Sequence, residues 1–315
     1  EWSTPWPSLH FRNTDFHKSI AKALPCCFFF LLGSNYRSTA DFRGNESIQT
    51  TWGTTMKTSI TAWLGSMLLA IFVTSVASAD DHMLNGIDVQ QPFNVQANLC
   101  KLNPDVTLDD YHALVEDYFD WAENNSVDPV FVRQFPLFSH QNLRNPWPYD
   151  FVELLGSDYE RWGKSWDLWL TSEDGMALNQ RWQSLAMCHV KQAHGQMLYA
   201  DTEALENDDE RYVAWNWCTP KVGFEQLSQK HAEYVAQISA DPNGLIGWGV
   251  MFPHTGGADL PGDFAHLAIY PDVESFMKRR SMEARGGWRG LREYYQNYAD
   301  CSGEQLNVET VLHRP

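Results

Sequence analysis

The sequence predicts an α+β fold in which one βαββαβ unit occurs twice. The first observation is a repeated cysteine pattern: Asn98-Leu99-Cys100 recurs as Asn216-Trp217-Cys218, and Cys188 recurs as Cys301. The two cysteine spans are nearly equal, since 188 − 100 = 88 and 301 − 218 = 83. The second observation is that strand-like and helix-like segments follow each first cysteine in the same order, as in an internal repeat.

The first copy begins with an alternating strand over 95–102 and a helix over 108–122. The helix carries apolar residues at the spacing of one helix face: Leu108, Tyr111, Val115, Tyr118, Phe119 and Ala122. The remaining elements are strands over 128–135 and 150–155, a tryptophan-rich helical region over 159–187 that breaks near Gly175, and a strand over 192–200.

The second copy has the same elements: a strand over 212–218, a helix over 224–239, strands over 245–252 and 263–269, a helix over 273–299, and a strand over 305–313. Short matches recur at corresponding places: Phe135-Pro136 with Phe252-Pro253, Asp150-Phe151 with Asp263-Phe264, and Gln192 with Gln305. Each copy therefore has the element order of a split βαβ, or ferredoxin-like, unit.

The N-terminal part of the chain predicts a secretory signal peptide. A basic start at Met56-Lys57 precedes an apolar run over 62–73 and the small-residue exit Ala77-Ser78-Ala79. The competing interpretation is an uncleaved membrane anchor, because 60–79 is nearly long enough to span a bilayer. The predicted divisions are an upstream segment over 1–55 that is not native to the protein, a signal peptide over 56–79, a first repeat over 80–200, an acidic linker over 201–211 and a second repeat over 212–315. We therefore expect a periplasmic or secreted protein.

The charge of the predicted mature chain is strongly negative. The whole sequence has 40 acidic and 23 basic residues, and 4 acids and 6 bases lie within 1–79, which leaves 36 acids, 17 bases and a net charge near −19. So acidic a surface repels phosphate backbones and anionic lipids. Neither a nucleic-acid partner nor, after signal cleavage, a membrane partner is expected.

Four cysteines remain once Cys26 and Cys27 are assigned to the upstream segment. An even number behind an export signal favours disulfides. The alternative is a zinc site, but the sequence contains no Cys-x-x-Cys spacing. In a ferredoxin-like sheet of strand order 4-1-3-2, the end of strand 1 meets the start of strand 4. That topology fits two bridges, Cys100–Cys188 and Cys218–Cys301, whereas either other connectivity would join the two repeats.

Two such units in one chain resemble the dimeric α/β-barrel superfamily, in which two ferredoxin-like sheets form one barrel with the helices outside. The resemblance covers nearly the whole mature chain and depends on element order and patterning, not on a diagnostic motif. It implies a single-chain, pseudo-dimeric barrel that is a monomer with an internal pseudo-twofold axis or a higher homo-oligomer. Members of the superfamily include cofactor-independent monooxygenases, haem-dependent chlorite dismutases and haem-degrading oxygenases, and proteins of unknown role.

Candidate site residues are the polar residues that recur with period two on the predicted strands, because one face of each barrel strand lines the interior. Glu153 and His266 occupy matched positions and form a candidate acid/base pair for catalysis. The competing interpretation is that they lie at a sheet edge or have structural partners. The expected ligand-binding residues are Asn98, Arg133, His194, Gln196, Asn216, Asn307 and Glu309, with His254 at the barrel mouth.

Tryptophans are expected to pack rather than to bind. Trp162, Trp166 and Trp169 have helical spacing, which is more typical of a helix face on a sheet than of a ligand box. Trp215 and Trp217 alternate with Asn216 and are expected under the helices if Asn216 faces the lumen.

No cofactor is predicted from the residues themselves. The sequence has no His-x-x-x-His, His-Glu-x-x-His or other metal-ligand signature. The superfamily resemblance leaves haem as an option, with His194, His266 or His254 as axial ligand and Arg133 at a propionate. Covalent haem is disfavoured because Cys-x-x-Cys-His is absent.

The leading hypothesis is an exported protein that binds a small apolar or aromatic molecule in the barrel lumen, with oxygenase-like or acid/base chemistry. The alternative is a non-catalytic structural or interaction protein whose barrel is filled by side chains. A lumen of ligand size, lined by Glu153, His266, His194 and Asn216, would favour the first hypothesis. A packed lumen would favour the second.

Overall fold

The computed structural model describes residues 82–139 and 148–315. The predicted upstream segment, the signal peptide, and Cys26 and Cys27 lie outside the described residues. Where the structure describes the chain, its helices are too short or too polar to cross a membrane.

Strands and helices alternate along the described chain much as the sequence predicts. In chain order they are β1 (Met83–Leu84), β2 (Ile87–Asp88), β3 (Phe93–Leu102), α1 (Leu108–Asn124), β4 (Val130–Phe138), β5 (Phe151–Ser157), α2 (Tyr159–Thr171), α3 (Glu173–Leu185), β6 (Ala186–Ala200), α4 (Thr202–Asn207), β7 (Glu210–Pro220), α5 (Phe224–Ala240), β8 (Gly247–Thr255), β9 (Phe264–Tyr270), α6 (Val273–Met282), a π-helical turn (Glu283–Gly287), α7 (Trp288–Asn297) and β10 (Ala299–His313).

Eight strands form a closed barrel in the order β10-β4-β5-β3-β6-β8-β9-β7. The first half of the chain supplies β4-β5-β3-β6 and the second half supplies β8-β9-β7-β10, so the relative strand order is the same in both halves. The halves meet where β6 pairs with β8 and where β10 pairs with β4, each time antiparallel. The fold is therefore α+β with an eight-stranded closed barrel.

Local sequence signals explain where several helices begin. Thr107 caps α1 through a reciprocal capping box with Asp110. The predicted break near Gly175 occurs at Ser172, which ends α2 and caps α3. The predicted helix over 273–299 is interrupted by the π-helical turn, where Gly286 has a φ of 137° that other residues rarely adopt.

Two disulfides connect the cysteines in the predicted pairs, Cys100–Cys188 and Cys218–Cys301. In both pairs the two cysteines are directly opposite each other on neighbouring antiparallel strands. This register exists because β6 and β10 begin at Ala186 and Ala299, earlier than the sequence predicts.

The barrel lumen is filled mainly by apolar side chains. They include Val95, Ala97, Val132, Leu154, Val213 and Met251. An eight-stranded barrel has an interior just wide enough for side chains. A residual cavity of about 150 Å³ borders the lumen, roughly half of the lower limit of typical small-molecule pockets, which is about 300 Å³. The lumen accordingly matches the side-chain-filled barrel of the alternative hypothesis.

A short polar chain crosses this apolar lumen. The guanidinium of Arg211 donates to Glu309 at 2.7 Å, Gln134 donates to the same carboxylate at 2.6 Å, and the indole of Trp215 donates to Gln134 at 2.8 Å. Trp215 and Trp217 stack on each other within the lumen cluster. Their predicted position under the helices is wrong, because it depended on the opposite orientation of β7.

Helices cover the outer face of each half. Tyr111 of α1 and Trp162 of α2 pack with Phe131 and Phe151 on the first half. On the second half, α5, α6 and α7 contribute Leu227, Ile238, Phe276 and Tyr294 to clusters with β7, β8 and β9. Much of the outer face of the barrel strands is therefore buried as well as the inner face.

Candidate functional site

Glu153 and His266 occupy matched positions, but they do not face the lumen. Glu153 is the register partner of Asn98, and His266 is the register partner of Asn216. Both side chains point outward, where Glu153 meets α1 and His266 meets α7. The predicted lumen position is wrong for these four residues and for Arg133, which binds Glu153 on the same outer face. Period two cannot identify the lumen face when helices bury the other face.

The other predicted ligand-binding residues divide between two places. Asn307 and Glu309 lie in the lumen, where both side chains are buried, and Gln196 borders the small lumen cavity. His194 and His254 are exposed on neighbouring strands β6 and β8, with ring centroids 4.4 Å apart. The structure does not bring these two groups together with Glu153 or His266.

Glu153 is held in a closed ion pair in the first half. Its carboxylate accepts hydrogen bonds from Arg133 at 2.9 and 3.1 Å and from the Tyr111 hydroxyl at 2.9 Å. Burial raises the pKa of Glu153, and the contacts with Arg133 and Tyr111 oppose that rise. The Arg133 guanidinium also lies over the rings of Tyr111 and Phe151. A carboxylate with these partners has the geometry of a structural ion pair.

His266 lies beside a cavity of about 340 Å³ in the second half. The cavity lies between the outer face of the barrel and helices α5, α6 and α7, and it is partly open to solvent. It has an aromatic side and a polar side, bordered by His266, Trp248, Tyr294, Asn216, Arg280 and Glu283. A volume of this size is at the lower end of typical small-molecule pockets.

The hydroxyl of Tyr294 connects two imidazoles. It lies 3.0 Å from Nε2 of His266 and 2.8 Å from Nε2 of His231. His266 also stacks on Trp248, with ring centroids 5.6 Å apart. Its Nδ1 atom is buried and has no hydrogen-bond partner among the described residues. Nε2 of His266 is thus fixed by Tyr294, whereas Nδ1 is a buried polar atom left without a partner among the described residues.

Burial keeps both imidazoles neutral. Desolvation lowers the pKa of His266 to about 3, with a further contribution from nearby His231, and lowers the pKa of His231 to about 4. Burial also raises the pKa of Tyr294. At neutral pH the cluster therefore carries no charge, and its single hydroxyl hydrogen can be donated to only one of the two rings.

Acidification is expected to destabilise the fold through these histidines. Because their folded pKa values lie below the unfolded value near 6.5, the unfolded chain binds more protons below that pH, and stability falls as the pH falls towards 4. Between pH 7 and pH 5 each buried histidine should lower the free energy of unfolding by up to about 2 kcal/mol. Urea unfolding of the wild type and of His231→Phe at both pH values measures this loss.

The control for that experiment is His189→Phe, since His189 is exposed. Relative to the wild type, His231→Phe should reduce the pH-dependent loss by about half. Equal pH dependence in His231→Phe and His189→Phe would contradict the neutral cluster.

The polar side of the cavity is bordered by a charged group next to the π-helical turn. Arg280 pairs with Glu283 at 2.9 Å and with Glu304 at 3.0 Å. Asn216 is fixed by a hydrogen bond to the Tyr295 hydroxyl at 3.1 Å and by one from the backbone N–H of Gly303 at 3.1 Å. The walls of the cavity are thus held in place by their own contacts.

Sequence reasoning missed the helix residues of this cluster. Neither His231 of α5 nor Tyr294 of α7 is among the candidate residues of the sequence. The available signal was a pair of aromatic residues at helical spacing, Tyr294 on α7 and Tyr298 at its C-terminal cap. That spacing predicts a buried helix face, but it does not identify which strand residue the face meets.

The three candidate axial ligands of haem are not brought to one shared cavity within the described residues. His266 uses Nε2 for Tyr294, and its other ring nitrogen is shielded from solvent. Arg133 is paired on the other half of the barrel, and His194 and His254 are exposed and border none of the described cavities. Within 82–139 and 148–315, no group of three or more His, Cys, Asp or Glu residues is arranged to hold a metal ion. No step of the chemistry proposed below is assigned to haem or metal.

Comparison with known proteins gives similarity of fold at low sequence identity. No protein-family profile matches the chain, and no curated protein matches it. Among solved structures, a candidate monooxygenase of Fusobacterium nucleatum has a TM-score of 0.42 and 12% identity, covering 70% of this chain and 93% of that chain. An anthrone oxidase-like protein has a TM-score of 0.43 and 12% identity, covering 72% and 94%.

A third similar structure is the chlorite dismutase of Candidatus Nitrospira defluvii in complex with imidazole. It has a TM-score of 0.37 and 10% identity, covering 70% of this chain and 91% of that chain. At these TM-scores, no activity or ligand is transferred to this chain.

Proposed function

We propose that this protein binds a small, mainly aromatic or apolar molecule in the second-half cavity, and that His266 is the acid/base group of that site. The single observation that carries the proposal is the position of His266, whose neutral imidazole borders a cavity of about 340 Å³ and shares the Tyr294 hydroxyl with His231. A concave, mostly apolar pocket with a few fixed polar groups is the usual form of a small-molecule site.

The hydrogen-bond network suggests how His266 acts. When Nε2–H of His266 donates to Tyr294, and Tyr294 donates to His231, Nδ1 of His266 is left as an acceptor for a hydroxyl or N–H of the ligand. A pKa near 3 makes this imidazole a hydrogen-bond acceptor in the empty site. An anion formed on the ligand would raise that pKa, because an opposite charge nearby favours the protonated ring. Proton transfer is therefore coupled to charge formation on the ligand.

The proposal assigns different roles to the two halves. The chain is interpreted as two fused ferredoxin-like units that form a monomeric pseudo-dimer, supported by the equal strand order in both halves. At the matched position, the first half has the closed Glu153–Arg133 pair and the second half has His266 beside a cavity. Glu153 is thus proposed to be structural and not catalytic. Export is supported by the two disulfides, which form readily in oxidising compartments.

The test is binding of 2-naphthol, a neutral aromatic probe with one hydroxyl, measured by calorimetry at pH 7.5 in proteins that also carry Val190→Trp, which blocks the separate tryptophan-lined cavity of the first half. His266→Ala is expected to lower the affinity about tenfold, the effect of losing one hydrogen bond of about 1.4 kcal/mol. His254→Ala is the matched control, because His254 is an exposed histidine on the adjacent strand β8. Circular dichroism of both variants checks folding.

An unchanged affinity in His266→Ala, or an equal loss in His254→Ala, would contradict the proposed site. Tyr294→Phe separates the two parts of the proposal. If Tyr294 only positions His266, the affinity should fall less in Tyr294→Phe than in His266→Ala.

The second candidate function is a non-catalytic structural or interaction protein. It is favoured by the filled lumen, whose residual cavity is only about 150 Å³. This candidate predicts that 2-naphthol does not bind in the second-half cavity. The same calorimetric titration therefore distinguishes the two functions.

A further inference from the structure

The first half contains its own cavity, separate from the site of His266. Its volume is about 280 Å³, and it lies between the outer face of the barrel and helices α2 and α3. Four tryptophans border it: Trp162, Trp166, Trp169 and Trp182. Tyr111 and Phe151 fill other parts of the first-half core and do not border this cavity.

The wall of this cavity carries no charge. The polar groups that border it are amides and hydroxyls, including Gln96, Asn98, Asn179 and Gln183, and none of the bordering residues is Asp, Glu, Lys, Arg or His. The second-half cavity, by contrast, is bordered by Arg280 and Glu283. Moving a charged group from water into an uncharged cavity is strongly unfavourable. The first-half cavity therefore favours a neutral ligand.

Hydrogen bonds hold two of the indoles in fixed orientations. The Trp166 N–H donates to Gln96 at 3.0 Å, and the Trp162 N–H donates to Gln192 at 3.2 Å. Gln192 in turn donates to Gln96 at 2.7 Å. A site whose walls are already ordered loses less conformational entropy when a ligand binds.

The other two indoles present ring edges and faces. Trp169 and Trp182 are arranged edge to face, with centroids 6.0 Å apart. Asn179 and Gln183 of α3 border the same space and are joined by a hydrogen bond of 3.1 Å. Aromatic rings prefer edge-to-face or offset-stacked neighbours. A flat aromatic ligand matches these walls, and the amide pair can bond a polar atom on its edge.

The volume sets the size of the ligand. A cavity of about 150 Å³ binds one benzene ring, and this cavity has nearly twice that volume. We propose that the first-half cavity is a second binding site, specific for a neutral bicyclic aromatic molecule of the size of indole. This proposal does not depend on the function proposed for the second half.

The test is binding of indole to the purified protein, compared with anionic indole-3-acetate and cationic tryptamine, by calorimetry at pH 7.5. Val190→Trp places a large side chain in the cavity from a bordering residue that is 42% exposed. It is expected to weaken indole binding about tenfold or more. Leu170→Trp is the matched control, since Leu170 is 56% exposed and borders none of the described cavities.

Gln183→Trp blocks the same cavity from α3 and serves if Val190→Trp does not fold, because Gln183 is exposed. Both charged analogues should bind at least about tenfold more weakly than indole. Equal indole binding in blocked and control variants would overturn the proposal, as would equal affinity for the three probes. His266→Ala should leave unchanged the indole binding that Val190→Trp weakens. Loss of the first-half site can therefore be distinguished from loss of the second-half site.

Discussion

Replacement of Arg133 by methionine is expected to lower the free energy of unfolding by about 3 to 5 kcal/mol, because it leaves the buried Glu153 carboxylate without its counter-charge. The side chain of Glu153 has no exposed surface, and that of Arg133 is 5% exposed. Tyr111 would remain as a hydrogen-bond donor, but a neutral hydroxyl cannot replace a guanidinium. Urea unfolding at pH 7.5 measures the difference.

Arg181→Met is the matched control for this prediction. Arg181 pairs with Asp117 at 2.6 Å, but both side chains are about half exposed. Exposed pairs contribute about 0 to 1 kcal/mol, so the control should be close to wild type. Similar losses in Arg133→Met and Arg181→Met would show that Glu153 is not buried as an ion.

The double variant Arg133→Met, Glu153→Leu tests the role of the pair. Replacing a buried ion pair by apolar residues of similar volume is often neutral, so most of the lost stability should return. If Glu153 is structural, this variant should also bind 2-naphthol like the wild type. Recovered stability with lost binding would instead assign Glu153 a functional role.

Removal of one disulfide, in Cys100→Ser with Cys188→Ser, is expected to lower the free energy of unfolding by about 4 kcal/mol. The bridge closes a loop of 88 residues, and in the loop-entropy model a loop of this length stabilises by about 4 to 5 kcal/mol. The two cysteines are register partners on β3 and β6 and pack in the core between the barrel and its helices. Removal of the bridge should therefore act mainly through the freedom that the unfolded chain gains.

The second disulfide provides the matched comparison. Cys218–Cys301 closes a loop of 83 residues, so its removal should cost the same within about 1 kcal/mol. A loss below 1 kcal/mol in either double variant, measured by urea unfolding without reductant, would contradict the loop argument. Adding reductant to the wild type should reproduce the combined loss.

Much of the fold could be predicted because its signals are local. Alternation on the strands and three- or four-residue spacing on the helices gave the element order, and the cysteine pattern gave both bridges. The matched positions of Glu153 and His266 were also predicted, since register follows from equal spacing in two copies. The predicted strand boundaries were wrong where pairing with a neighbouring strand makes a strand longer, as at the starts of β6 at Ala186 and of β10 at Ala299.

The candidate site could be predicted only in part. His266 and Asn216 were candidates, but they were assigned to the lumen. Alternating side-chain polarity shows that the two faces of a strand differ, but it does not show which face points into the barrel. The pattern was ambiguous here because helices also bury the outer face. Val95 and Ala97 fit the narrow interior, and the polar residues between them are left to face the helices.

The sequence by itself indicated a repeated order of elements, the disulfide pairs and one matched position at which the copies differ in chemistry, Glu153 against His266. Only the tertiary structure decided what those two residues meet. Glu153 is paired with Arg133 in the first half. His266 in the second half contacts Tyr294, which also contacts His231, and both of these come from helices distant in sequence. A cavity remains beside His266. The physical reason is that periodicity is a property of neighbouring residues, whereas a cavity depends on how separate elements fill the space between them.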